Sequence, residues 1–121
     1  MPPLTVQQEL VRGAVVVRVV GDVDAASAEA LRGGLRAAVP SARQQQARLL
    51  VVDLAGVSYF GSAGLNAMLD CRDKASAQGV TVRLVSAQPV VTRPIEVTGL
   101  EEMLPVYPTV TAALDGAGPP G

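Results

Sequence analysis

The chain has 121 residues, 49% of them hydrophobic, with 10 basic and 11 acidic side chains and a net charge of −1. That size and content support one domain with its own core. Scattered arginines, only three aromatic residues and no tryptophan speak against a nucleic-acid surface, and the absence of histidine excludes a Ser-His-Asp triad.

Leu4 to Val11 reads as a first strand, and Arg12-Gly13 as a turn. Ala14 to Val20 is rich in β-branched residues and predicts a buried second strand closed by Gly21. Asp24 is placed as the N-cap of a helix that turns Ala28, Leu31 and Leu35 toward the core. Gly33-Gly34 weakens that helix by about 1 kcal/mol per glycine relative to alanine, and Pro40 is expected to stop it. Ser41 to Ala47 is a polar link.

Arg48 to Leu54 is apolar on both faces, as a central covered strand would be. A short link then leads to a helix expected over 62–77, with Leu65, Met68, Leu69 and Arg72 along one face and Asp70 paired with Lys74. Gly79 suits its end. Val80 to Val85 predicts a fourth strand, and Pro89 the first turn of a third helix that is short or kinked at Pro94. Leu104 to Tyr107 reads as a last short strand and Thr109 to Leu114 as a final helical turn or two. Strands alternating with helices after an antiparallel start predict an α/β fold: one domain over 1–114, with 115–121 a disordered tail.

The most informative stretch is 53–69, where a β-rich run ends at Asp53 and Ser62 stands just before a helical pattern. A hydroxyl at a helix N-terminus sits among free N–H groups and the positive end of the dipole, a setting that suits a serine that is phosphorylated. Ser62 also suits simple helix capping, as Asp24 does, and Asp53 suits fixing the chain that follows it. Asn66 falls on the exposed face one turn into the helix. Cys71, the one cysteine, excludes an internal disulfide and reads as a small half-buried hydrophobe.

Other chemistry is not visible. Phe60-Gly61-Ser62-Ala63-Gly64 is not Gly-x-Ser-x-Gly, because Phe60 stands in the first glycine's place. No phosphate-binding Gly-rich loop ending in Gly-Lys-Ser/Thr and no Cys/His cluster for zinc occur. An enzyme, a bound cofactor and a resident metal are therefore not expected. The N-terminus lacks a charged region followed by a long apolar one, and Arg18 interrupts the run from Ala14 to Val20. A cytoplasmic protein without membrane insertion is expected.

Three segments in register resemble one family. Gly21-Asp22-Val23-Asp24 resembles a Gly-Glu-Leu-Asp turn. Asp53-Leu54 through Phe60-Gly61-Ser62-Ala63-Gly64-Leu65 resembles Asp-Leu…Phe-x-Asp-Ser-Ser-Gly-Leu. Thr98-Gly99-Leu100 followed by Val106-Tyr107 resembles a Thr-Gly-Leu…Phe-x-Val-Tyr/Phe ending. Together they resemble the STAS domain, and in particular the stand-alone anti-sigma factor antagonists, over residues 4–114.

That resemblance implies a mixed sheet of four or five strands flanked by about four helices. It implies a partner that is both an anti-sigma factor and a serine kinase, captured by the unphosphorylated chain so that a sigma factor is released. Ser62 is the implied phosphoryl acceptor, a phosphatase the implied reset, and ATP with Mg²⁺ belongs to the kinase. Asp24, Gly61, Ser62, Ala63 and Asn66 are the implied partner contacts. Gly61 stands where the antagonists usually carry Asp, and Ala63 replaces their second serine, so Ser62 is the one hydroxyl of that turn. Other STAS domains serve as unphosphorylated interaction subunits of membrane transporters or lipid-transfer complexes, which is the alternative implied function.

Overall fold

Alternation at period two builds the first hairpin in a computed structural model that describes residues 3–116. β1 (Thr5–Val11) and β2 (Ala14–Val23) pair antiparallel, from Thr5 opposite Val20 to Val11 opposite Ala14. The two linking residues, Arg12 and Gly13, both take positive φ (51° and 79°), which matches the twist of the flanking strands.

From β2 onward the chain crosses over by helices. α1 (Ala28–Arg43) leads to β3 (Leu49–Phe60), and α2 (Ser62–Ala77) to β4 (Thr81–Val85). α3 (Pro89–Val97) leads to β5 (Val106–Tyr107), and α4 (Val110–Asp115) follows. The sheet order is β1-β2-β3-β4-β5, with every pair after the first parallel. Successive right-handed crossovers in one direction put their helices on one face. Accordingly Leu31, Leu35, Met68, Val91 and Ile95 share a core with Val15, Val17, Leu50, Val52 and Leu84. The opposite face carries a smaller cluster, where Ala113 of α4 meets Ala14, Val16, Leu49, Val51 and Tyr107. The α/β class and the mixed five-stranded sheet agree with expectation.

Several boundaries do not. β2 does not close at Gly21; it continues to Val23, passing Gly21 at φ 124°, a value that a side chain would resist. β3 does not end at Leu54, and no link follows it. It runs to Phe60 because the extended β2 offers it partners, Val57 beside Gly21, Tyr59 beside Asp22 and Phe60 beside Val23, across two register shifts. α1 opens at Ala28 rather than Asp24 and runs through Pro40 to Arg43. Pro40 lies on the exposed side, while burial of Ala38, Val39 and Ala42 holds the last turn against the sheet.

On α2 the buried stripe is Gly64, Ala67, Met68, Cys71 and Ala75, with Leu65 and Leu69 half-buried beside it. Small residues at helical spacing let α2 come close to its neighbours, so the stripe is narrower and less bulky than expected. Asp70 pairs with Arg32 of α1 rather than with Lys74, which joins the two helices instead of decorating one. α3 is nine residues long and contains Pro94, as the sequence implied. β5 is only two residues, and Asp115 belongs to α4, where its carboxylate meets Arg12 at 2.9 Å. The rest of the expected tail, 117–121, lies outside the described residues.

Candidate functional site

The site is built where β2 and β3 end side by side. The Gly61 N–H donates to the Val23 carbonyl at 3.0 Å. This bond brings the Gly21–Asp24 segment against the Tyr59–Ser62 segment, although they are far apart in sequence. Gly61 is in extended geometry (φ −88°, ψ −176°) and is the N-cap of α2; its carbonyl accepts from the Gly64 and Leu65 amides at 3.0 and 3.2 Å. A single residue therefore converts strand into helix.

Ser62 is the first helical residue, not the cap. It is exposed, and among the described residues no side chain caps this helix. The expectation that its hydroxyl serves as a cap is thus not met. The Gly64 and Leu65 amides are taken up by the Gly61 carbonyl, which leaves those of Ser62 and Ala63 without a backbone acceptor at the positive end of the dipole. A hydroxyl pointing to solvent beside such amides can take a phosphoryl group without losing a structural bond.

Gly64 makes this junction tight. A Cβ at that position would lie 2.7 Å from Val23 Cγ1 and 2.9 Å from Phe60 Cε1. Glycine is what allows the first turn of α2 to rest on the ends of β2 and β3, which fixes where Ser62 stands. Ala63 is half-buried, and Asn66, one turn on, is exposed.

Asp24 sits beside this edge but is engaged locally. Its carboxylate accepts the Ser27 N–H at 3.0 Å, and the Ser27 hydroxyl accepts the Asp24 N–H at 3.0 Å. Ser27 Oγ also donates to the Asp22 carbonyl at 2.7 Å. This is the reciprocal pattern of a capping box, wrapped around the turn that leads into α1. Hydrogen bonds from Ser27, backbone first and side chain second, hold the Asp24 carboxyl below its ordinary value of 3.8. The N-cap of α1 is Ser27, so Asp24 is not the helix cap that was expected; it holds the turn just before the helix.

Asp53 lies elsewhere. It is buried on the α4 side of the sheet, where Oδ1 accepts from the Ala55 amide at 3.0 Å and Oδ2 meets Arg18 Nε at 3.4 Å. Arg18 also reaches Glu9 at 2.9 Å. Asp53 thus fixes the chain where the β2–β3 register shifts. Between α1 and α2 lies a groove of about 370 Å³ that includes Arg32, Arg36, Asp70, Lys74 and Cys71. Burial pushes the Cys71 thiol up to about 11, which leaves it protonated and unreactive at neutral pH. Neither Ser62 nor its neighbours line this groove. Among the described residues no cluster of His, Cys, Asp and Glu could hold a metal, and no helix is long and apolar enough to cross a membrane.

Sequence reasoning missed Tyr59, Ser27 and Gly64. Tyr59 is half exposed beside Gly61, and the alternation that points it away from buried Phe60 was readable once β3 is carried past Leu54. Ser27 was signalled by its spacing of three from Asp24.

The family model described as the STAS domain matches residues 4–113. The chain belongs to the STAS domain family. A stretch of 72 residues is 42% identical to the Mycobacterium tuberculosis protein Rv2638, named as an anti-anti-sigma factor; it covers 60% of this chain but only 48% of that relative, so the match spans about half of that relative's length. RsfA of the same species, named as an anti-sigma-F factor antagonist, is 31% identical over 101 residues, 84% of this chain and 77% of RsfA. The crystal structure of an anti-sigma factor antagonist from Mycobacterium paratuberculosis superposes with a TM-score of 0.83 at 33% identity, covering 93% of this chain and 92% of that one. In the STAS frame the three sequence segments have distinct places: two meet at the β2–β3 edge, and Thr98-Gly99-Leu100 closes α3, away from that junction.

Proposed function

We propose that this STAS domain is an anti-sigma factor antagonist switched at Ser62. The unphosphorylated chain binds an anti-sigma factor that is also a serine kinase, and the sigma factor is released in the cytoplasm. Ser62, Gly61, Ala63 and Asn66 form the contact, with Asp24 at its margin. The carrying observation is an exposed, uncapped serine hydroxyl at the first position of a long helix whose backbone is fixed by Gly61 and Gly64. The names of the mycobacterial relatives support the antagonist reading.

The switch is a simple transfer. Ser62 Oγ attacks the γ-phosphorus of ATP held by the kinase, the bond to the β-phosphate oxygen breaks, ADP leaves and the hydroxyl proton is lost. The product carries about −1.5 to −2 added charges at pH 7. These fall beside helix amides that can receive them, so the fold persists while the contact surface changes in bulk and charge. A phosphatase restores the hydroxyl by hydrolysis. The chain itself supplies no nucleotide site in this scheme; ATP and Mg²⁺ are the kinase's.

The test uses the sigma factor, fluorescently labelled and bound to the anti-sigma kinase encoded in the same genome. Adding the unphosphorylated chain is expected to release the sigma factor, and adding the phosphorylated chain is expected to leave it bound. Failure of the unphosphorylated chain to bind the kinase or displace the sigma factor would sink the antagonist reading.

A further inference from the structure

The chain has three aromatic residues, and the structure spends them unequally. Phe60 and Tyr107 are buried, at 4% and 6% exposure, but Tyr59 is 52% exposed. It stands at the end of β3, beside Asp22 of β2 and three residues before Ser62. An exposed aromatic ring on a rigid strand end keeps few rotamers, so little further order is lost when a partner covers it.

Gly61 explains the ring's position. Its backbone is in ordinary extended geometry, which any residue adopts, so conformation does not require glycine there. A side chain there would instead push on the ring: a Cβ on residue 61 would lie 3.1 Å from both Cε2 and the hydroxyl oxygen of Tyr59, so the ring would have to shift by a few tenths of an ångström. The missing side chain lets the Tyr59 ring lie against the backbone immediately before Ser62. The two residues therefore form one feature, an aromatic face set over a bare peptide next to the acceptor hydroxyl.

We infer that Tyr59, seated by Gly61, is the anchor by which the anti-sigma factor recognises this chain at Ser62, and that the pair sets partner specificity. The occupant is the same anti-sigma factor/serine kinase, because the ring is continuous with the Ser62 surface. Its contacting face must offer an apolar slot for the ring rather than a cation aimed at residue 61, since no acid stands there. Aromatic anchors of this kind dominate protein interfaces. The inference rests on the antagonist reading above.

The experiment measures the Kd of the purified anti-sigma factor/serine kinase from the same genome by calorimetry, against the full chain and its variants. Tyr59→Ala is expected to raise Kd about 30-fold or more, while Tyr59→Phe, which keeps the ring, stays within about 3-fold. Gly61→Ala is expected to raise Kd about 10-fold when Tyr59 is present but less than about 2-fold in the Tyr59→Ala background, because the added methyl acts by displacing the ring. Tyr59 is half exposed, so its variants should melt within about 2 °C of the parent. Gly61 is half-buried and caps α2, so Gly61→Ala carries a stability cost shared by both backgrounds, and only the difference in Kd between them reports the coupling. If Tyr59→Ala binds like the parent while Ser62→Asp loses the kinase, the anchor is overturned and the antagonist reading stands. If Gly61→Ala weakens binding equally in both backgrounds, the coupling between the two residues is overturned. If the parent chain fails to bind the kinase at all, the antagonist reading falls and takes the anchor with it.

Discussion

Two serines stand at neighbouring helix entrances, and they are used in opposite ways. Ser27, ahead of α1, is half-buried and fully engaged: its hydroxyl donates to the Asp22 carbonyl and accepts from the Asp24 amide. Ser62, at the start of α2, is exposed and caps nothing. The entrance to α1 is held by side chains, whereas the entrance to α2 is held by backbone and by the close fit of Gly64. A hydroxyl that holds a turn together cannot be modified without loosening it. Moving the structural work to glycines leaves the Ser62 hydroxyl free for chemistry.

The sharpest way to break this comparison is Ser62→Asp. A carboxylate near the helix N-terminus is tolerated by the dipole, so the melting temperature should change by less than about 2 °C. The Kd for the anti-sigma kinase should rise about 100-fold or more through charge and bulk at the contact. An unfolded Ser62→Asp by circular dichroism would show that the serine is structural after all.

Gly64→Ala tests the glycine side of the contrast. Its Cβ would approach Val23 Cγ1 at 2.7 Å and Phe60 Cε1 at 2.9 Å, and both are core side chains with nowhere to go. Overpacking of this kind costs about 1–3 kcal/mol, readable as a lower urea midpoint with an unchanged slope. Kinase binding should fall with it, because Ser62 moves with the first turn of α2.

Ser27→Ala should cost about 0.5–2 kcal/mol, the range for a lost cap. Its phosphorylation by the kinase should match the parent's. Equal stability of Ser27→Ala and Ser62→Ala would erase the distinction between the two entrances.

The smallest effect is in acid. Hydrogen bonds from Ser27 hold the Asp24 carboxyl below 3.8, so its contribution is present above the unfolded value and is lost as pH falls through the folded one. Asp24→Asn should therefore lose less of its melting temperature between about pH 6 and pH 3 than the parent does. The unmodified Ser62 hydroxyl does not titrate in that range, and Ser62→Ala should show the parent's acid profile.

The parts of this picture written in local pattern were legible in the sequence. The valine-rich second strand, the helix over 62–77 and the antiparallel start all follow from periodicity, and the STAS resemblance rested on three spaced segments. What was not legible depends on partners distant in the chain. β3 continues past Leu54 only because β2 passes Gly21 and lies beside it. Ser62 moved from cap to first helical residue because Gly61, pinned by the Val23 carbonyl, took the capping position. Asp70 joined Arg32 rather than Lys74 because α1 and α2 lie side by side. Tyr59 stayed hidden until the strand was long enough to give it a side.

Ser62, and not Ser27, is proposed as the hydroxyl available for transfer. This is tested most directly by incubating the chain with the anti-sigma kinase and ATP, then reading intact mass and mapping the modified peptide. A gain of one phosphoryl group at Ser62 is expected in the parent and in Ser27→Ala, and none in Ser62→Ala. A gain that survives Ser62→Ala, or a parent chain that gains nothing, would contradict it.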